Sequence, residues 1–167
     1  MATENGSGGF GGREVVIVEA VRTPVGRGHE EKGYYKDVHP SNLLAKSYKE
    51  VIDRAGIDAS EVEDVVAGCV QQFGEQGINI ARNAWLEAGL PIETPATTVD
   101  RQCGSAQQAV NFGAALVASG VHVPACAVEL SRETNLIVCS PALLPACSSA
   151  SSMPLTIALV CGLDAPC

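Results

Sequence analysis

The sequence predicts an α/β fold, with a mixed but mainly parallel sheet covered by helices. Three observations carry that prediction. Short β-rich apolar runs alternate with longer stretches of helical periodicity, and glycine and proline punctuate the joins. The order strand, helix, strand, helix, strand, helix then continues through the first 122 or so residues, the pattern of strands joined by crossover helices.

The first strand is expected at residues 14–20 (EVVIVEA), an apolar run of the kind that buries. Arg22-Thr23-Pro24 and Gly26 break it, and a polar loop with Tyr34 and Tyr35 leads to His39-Pro40. Ser41 is the expected N-cap of a helix that runs through Ala55, with Leu44, Tyr48, Val51, Ile52 and Ala55 on one face and Gly56 as terminator. A second strand is expected at 65–70. After a loop with Gly74 and Gly77 comes a helix over about 79–88, ended by Gly89 and Pro91. Residues 96–100 read as a third strand that runs directly into Gln102-Cys103-Gly104-Ser105. From there to Ser119, Ala106, Ala109, Val110, Ala114 and Val117 form a helical stripe, and Gly120 stops it.

Composition narrows the function classes. The chain has 167 residues, 46% hydrophobic and 18% charged, enough to bury a core. A formal net charge of −8 argues against nucleic acid or an anionic membrane surface as partner, since both need basic patches. No apolar run reaches the about 17–25 residues of a membrane span. Residues 1–12 are rich in Gly and Ser and lack the basic and apolar regions of a secretory signal, so they read as a flexible leader, with the cytoplasm as the expected location. The seven cysteines include no Cys-x-x-Cys pair and are odd in number, so neither a metal site nor a disulfide framework is expected.

The character of the chain changes after His122. Residues 123–167 hold five of the nine prolines and five of the seven cysteines, but only Glu129, Arg132, Glu133 and Asp164 as charges. Residues 136–139 and 155–160 have strand-like composition without sustained periodicity. Two explanations fit this atypical tail: a shift of reading frame near Val123, or an irregular segment that caps the sheet. The abrupt loss of local consistency favours the first.

Cys103 carries the chemistry. It falls where a strand ends and a helix begins, where backbone N–H groups and the helix dipole favour a thiolate over a thiol. Gly104 leaves room for a substrate carbonyl, Ser105 is placed to satisfy first-turn donors, and the Cys103 N–H is a candidate oxyanion donor. Against this, a lone cysteine is more often a small buried hydrophobe, which is also the reading of Cys69.

The surrounding motif tips the balance. Residues 99–106 (VDRQCGSA) resemble the thiolase nucleophile motif, an Asn-x-x-Cys-x-Ser-Gly stretch that opens a helix. Arg22-Thr23-Pro24-x-Gly26 is similar to the segment after the first thiolase strand. Gly68-x-Val70-x-Gln72, followed by Gly77-x-Asn79-x-Ala81-Arg82, resembles the loop and helix before the nucleophile strand. The likeness covers residues 13–122 and identifies them as an incomplete thiolase amino-terminal domain. Two positions depart from the motif: Asp100 stands for the usual Asn and Ala106 for the Gly. The charge of Asp100, close in sequence to the Cys103 thiolate, is expected to raise the pKa of that thiolate.

This resemblance implies Claisen-type acyl transfer between coenzyme A thioesters, as in lipid metabolism. Cys103 would accept the acyl group, with acyl-CoA and coenzyme A as substrates and no further cofactor. It also implies a five-layered fold of two similar halves that assembles as a homo-oligomer when complete. The family's Gly-His-Pro, its second cysteine before a Gly-rich run and its Asn-Glu-Ala-Phe segment do not occur in this sequence. The chain alone is therefore expected to be inactive in turnover. His29, His39 and His122 read as surface residues rather than a substitute base. Arg82 and Trp85 suit either a subunit contact or a packed helix face, and Arg22 is similarly open. Two alternatives accompany the thiolase reading: a ketoacyl-synthase relative, and a non-catalytic fragment that binds a full-length thiolase through its sheet edge or a helix face.

Overall fold

The computed structural model describes residues 15–121 and two further strands at 125–129 and 135–139. The leader at residues 1–12, His122 and the strand expected at 155–160 lie outside the described residues. Strand β1 (Val16–Val21) is followed by helix α1 (Pro40–Ala55), β2 (Asp64–Gly68), α2 (Ile80–Glu87), β3 (Ala96–Val99) and α3 (Ser105–Ser119). Strands β4 (Ala125–Glu129) and β5 (Asn135–Cys139) complete a sheet of order β1-β5-β4-β2-β3. β2 pairs in parallel with both β3 and β4, and β5 pairs antiparallel with both β4 and β1. β5 thus runs against the other four, and the sheet is mixed but mainly parallel. β5 includes the run at 136–139 that has strand-like composition. β4 occupies a stretch that starts beside Pro124 and shows no periodicity of its own; its register comes from pairing with β2.

Residue alternation along β2 divides the core in two. Val65, Ala67 and Cys69 face one side, where they join Leu44, Tyr48, Val51, Ile52, Ile80, Ala84 and Trp85 of α1 and α2 in one buried cluster. Val66 and Gly68 face the other side, toward α3, where Val117 is fully buried against Val15, Ile17, Val110 and Ala114. Trp85 and Tyr48 meet edge to face, with ring centroids 5.6 Å apart at 65°.

Helix α1 begins two residues earlier than expected, its cap at His39 rather than Ser41. Pro40 suits the first helical position because it has no N–H to leave unpaired, so the cap falls to His39, whose Nδ1 accepts the Ser41 N–H at 3.2 Å. Ser41 is instead buried, and its hydroxyl donates to Glu87 Oε2, tying the start of α1 to the end of α2. Asn79 caps α2 from a left-handed backbone, φ 62°, which Asn tolerates better than most residues. Its Oδ1 accepts from the Arg82 N–H and the Thr98 hydroxyl, and its Nδ2 donates to the Ala96 carbonyl at 2.8 Å.

Arg82 and Trp85 both find hydrogen-bond partners within the chain. Arg82 donates to the carbonyls of Ile92 and Thr94, and the Trp85 Nε1–H donates to the Pro91 carbonyl at 2.8 Å. Helix α2 clamps its own following loop in this way, and the indole is fully buried inside the chain.

Candidate functional site

Residues 100–104 form the turn between β3 and α3, and Ser105 opens the helix. Cys103 is exposed and lies one residue before Gly104, the N-cap of α3. No side chain caps this helix, and its first turn carries no acidic residue, so the positive end of its dipole acts on the adjacent turn. The preceding residue, Gln102, has φ 51°, in the left-handed region that L-residues rarely adopt.

Side chains hold this shape. Asp100 Oδ1 accepts the Gln102 N–H at 2.9 Å. Ser105, only 2% exposed, accepts the Arg101 N–H at 2.8 Å and donates to the Gln102 carbonyl at 2.7 Å. This corrects the expectation for Ser105: its hydroxyl faces back into the turn rather than toward the first-turn donors of α3. The departure from the usual Asn at Asp100 is conformationally neutral, because the turn uses one acceptor oxygen that Asn and Asp share. Arg101 extends along the helix to Gln108 Oε1 at 2.8 Å. A Cβ on Gly104 would meet nothing closer than the Arg101 carbonyl at 3.5 Å, so the approach to Cys103 is open on that side.

Gly68 positions the helix. A Cβ there would lie 2.4 Å from the Ala106 nitrogen and 2.5 Å from the Ser105 carbonyl carbon, so only glycine lets the end of β2 accept α3 this closely. The sequence carries Gly68 within a family-like segment without revealing why; a glycine at the end of a buried strand, facing a helix start, is the signal that marks it.

Cys69 behaves as a core residue. It is 1% exposed, and its Sγ contacts Gln76 Oε1 at 3.2 Å. Burial first, and then the negative charge of Asp100, pushes its thiol pKa up from 9.0 to about 11. The charge of Asp100 thus acts on the buried Cys69. A thiol that ionises less readily in the folded chain stabilises that fold fully below pH 9.0 and loses the contribution as pH rises through about 11. Stability should accordingly decline across that alkaline window, and Cys69→Ala should flatten the decline; urea melts on either side of the window check both. In native protein, iodoacetamide should modify Cys103 and spare Cys69.

The other residues singled out in the sequence do not gather here. His29 Nδ1 accepts the N–H groups of Glu31 and Lys32 at 3.1 Å, organising its own exposed loop. His39 caps α1, and Arg22 is exposed. Among the described residues, no group of three or more His, Cys, Asp and Glu side chains converges as a metal site, and no helix is long and apolar enough to cross a membrane. An open apolar groove of about 740 Å³ runs along α3, lined by Val15, Val66, Thr97, Phe112 and Leu116 among others. Its walls include no residue of the Cys103 turn.

Comparison with known proteins identifies the domain that carries this turn. The family described as "Thiolase, N-terminal domain" matches residues 15–128. The steroid 3-ketoacyl-CoA thiolase FadA6 of Mycobacterium tuberculosis is 49% identical over 107 residues, 64% of this chain and 26% of that protein. A 3-ketoacyl-CoA thiolase of Pectobacterium carotovorum is 46% identical over 108 residues, 64% of this chain and 27% of its own length. Among solved structures, the crystal structure of the Bacillus anthracis acetyl-CoA acetyltransferase is similar with a TM-score of 0.64 and 34% identity, covering 71% of this chain and 29% of that one. The chain thus spans a little over a quarter of the length of these relatives.

Proposed function

Because the chain belongs to the thiolase family and carries that family's amino-terminal domain over residues 15–128, we propose that Cys103 accepts an acyl group from a coenzyme A thioester. The observation that carries this reading is an exposed cysteine on a side-chain-braced turn at the uncapped start of α3, inside the nucleophile motif. Family membership decides against the ketoacyl-synthase alternative.

In the proposed step, Cys103 Sγ bonds to the acyl carbon and the bond from that carbon to the coenzyme A sulfur breaks. The thiol proton ends on the departing coenzyme A. The Cys103 N–H is assigned as a donor to the oxyanion formed on the way. A full Claisen cycle also needs a base and a second proton carrier. The described histidines are occupied as caps and turn acceptors, and Cys69 is buried and hard to ionise. The chain is therefore assigned a single acylation without turnover. Acyl-CoA and coenzyme A as substrates, a cytoplasmic location and homo-oligomerisation of a complete protein belong to the same proposal.

Incubation with acetyl-CoA should add one acetyl group, mapped to Cys103 by peptide mass spectrometry and absent from Cys103→Ala. An unmodified Cys103 would sink the assignment. Sustained cleavage of acetoacetyl-CoA would sink the single-event reading while leaving the nucleophile in place.

The groove along α3 favours a second reading, a fragment that docks on a full-length thiolase subunit. Phe112 is 46% exposed beside it, and β3 is an edge strand among the described residues. Co-purification with a full-length thiolase, lost on Phe112→Glu, would support it; a clean monomer in that mixture would remove it.

A further inference from the structure

We infer that Ser105 and Asp100 are positioning residues for acyl transfer at Cys103, an inference that rests on the nucleophile assignment above. Gln102 has no side-chain property that favours φ 51°, so its backbone is held from outside. The Asp100 carboxylate holds the peptide group before Gln102 through its N–H. The Ser105 hydroxyl holds the peptide group after it through the carbonyl, the same peptide group that leads into Cys103. A third bond, from the Arg101 N–H to Ser105 Oγ, closes the brace.

The Cys103 side chain makes no hydrogen bond of its own among the described residues, so the direction of its sulfur is inherited from this turn. The Ser105 hydroxyl already donates one hydrogen bond and accepts another, and its residue is buried. It has no proton to offer a substrate. Its contribution is to orient, and misorientation by an ångström is enough to slow a reaction between aligned groups.

The test compares the full chain with Ser105→Ala, Asp100→Ala and Asp100→Asn. Three readouts are taken: acetylation of Cys103 by acetyl-CoA, alkylation of Cys103 by iodoacetamide, and the melting midpoint. Acylation depends on direction, whereas a small alkylating agent reports access to the sulfur. Ser105→Ala and Asp100→Ala should acetylate about tenfold more slowly or worse. Asp100→Asn, which keeps the acceptor oxygen, should match the parent, and alkylation should be unchanged throughout. Equal acetylation in all variants overturns the brace and leaves the nucleophile standing. A parallel fall in acetylation, alkylation and melting midpoint also overturns it, since the residues would then be merely structural. A parent chain that takes no acetyl group removes the nucleophile assignment and the brace with it. Should Ser105→Ala fail to melt cooperatively, the Asp100 pair decides, because that side chain is exposed.

Discussion

Replacing Gly68 with alanine should both destabilise the fold and silence Cys103. The added methyl would lie 2.4 Å from the Ala106 nitrogen and 2.5 Å from the Ser105 carbonyl carbon. Both are backbone atoms and cannot swing aside as a flexible side chain would. Either the pairing of β2 with β3 slips or the start of α3 lifts away from the strand. Overpacking of this kind costs about 1–3 kcal/mol. The consequence for chemistry is larger, because Ser105 is itself one of the displaced residues and the brace on Gln102 moves with it. A displacement of about 1 Å is sufficient for a loss near 100-fold in acetylation. Urea melts measure the first effect and mass spectrometry of the Cys103 peptide the second. A Gly68→Ala chain that melts and acetylates like the parent would refute the packing argument.

Trp85→Ala should produce the largest loss of stability. The indole is fully buried, stacks edge to face with Tyr48 and donates to the Pro91 carbonyl. Removing it leaves a cavity between α1, α2 and the sheet and frees the loop that α2 clamps. Truncation of a buried tryptophan costs about 3–5 kcal/mol. Against a typical total of about 5–15 kcal/mol, that leaves a marginal fold. The expected result is a far lower midpoint with loss of cooperativity in thermal melts. Trp85→Phe, which keeps most of the apolar volume but strands one carbonyl, should lose much less. An unchanged midpoint in Trp85→Ala would show that this cluster does not hold the domain together.

The parts of the fold visible in the sequence are those set by short-range pattern. The period of α1 shows in Leu44, Tyr48, Val51 and Ile52, and all four are buried. The join from β3 to α3 is visible in the break at Gln102–Gly104, and so is Cys103 at its tip. What escapes is set by tertiary contact. Ser41 has the composition of a cap, but Pro40 shifts the helix start, and a partner 46 residues away in sequence takes the serine hydroxyl. Ser105 satisfies the pattern of a first-turn serine, yet its bonds run backward into the turn, because Gln102 adopts a backbone conformation that composition does not announce. β4 has no periodicity to read, since its register is imposed by β2. The action of Asp100 on Cys69 is equally hidden in the sequence, because it is the parallel pairing of β2 and β3 that brings the two together.

The elements that build the Cys103 turn follow one another without interruption: β2, α2, β3 and α3 span residues 64–119. Parallel pairing of β2 with β3 through α2 closes a short loop of chain, and the glycine that receives α3 lies on the same strand. Contacts this local form early, because little chain entropy is lost in closing them. During synthesis the turn can therefore be assembled before β4 and β5 have left the ribosome, the last strands adding to an existing template. Errors in the later chain would then reach the sheet's β4–β5–β1 side first and the nucleophile turn last.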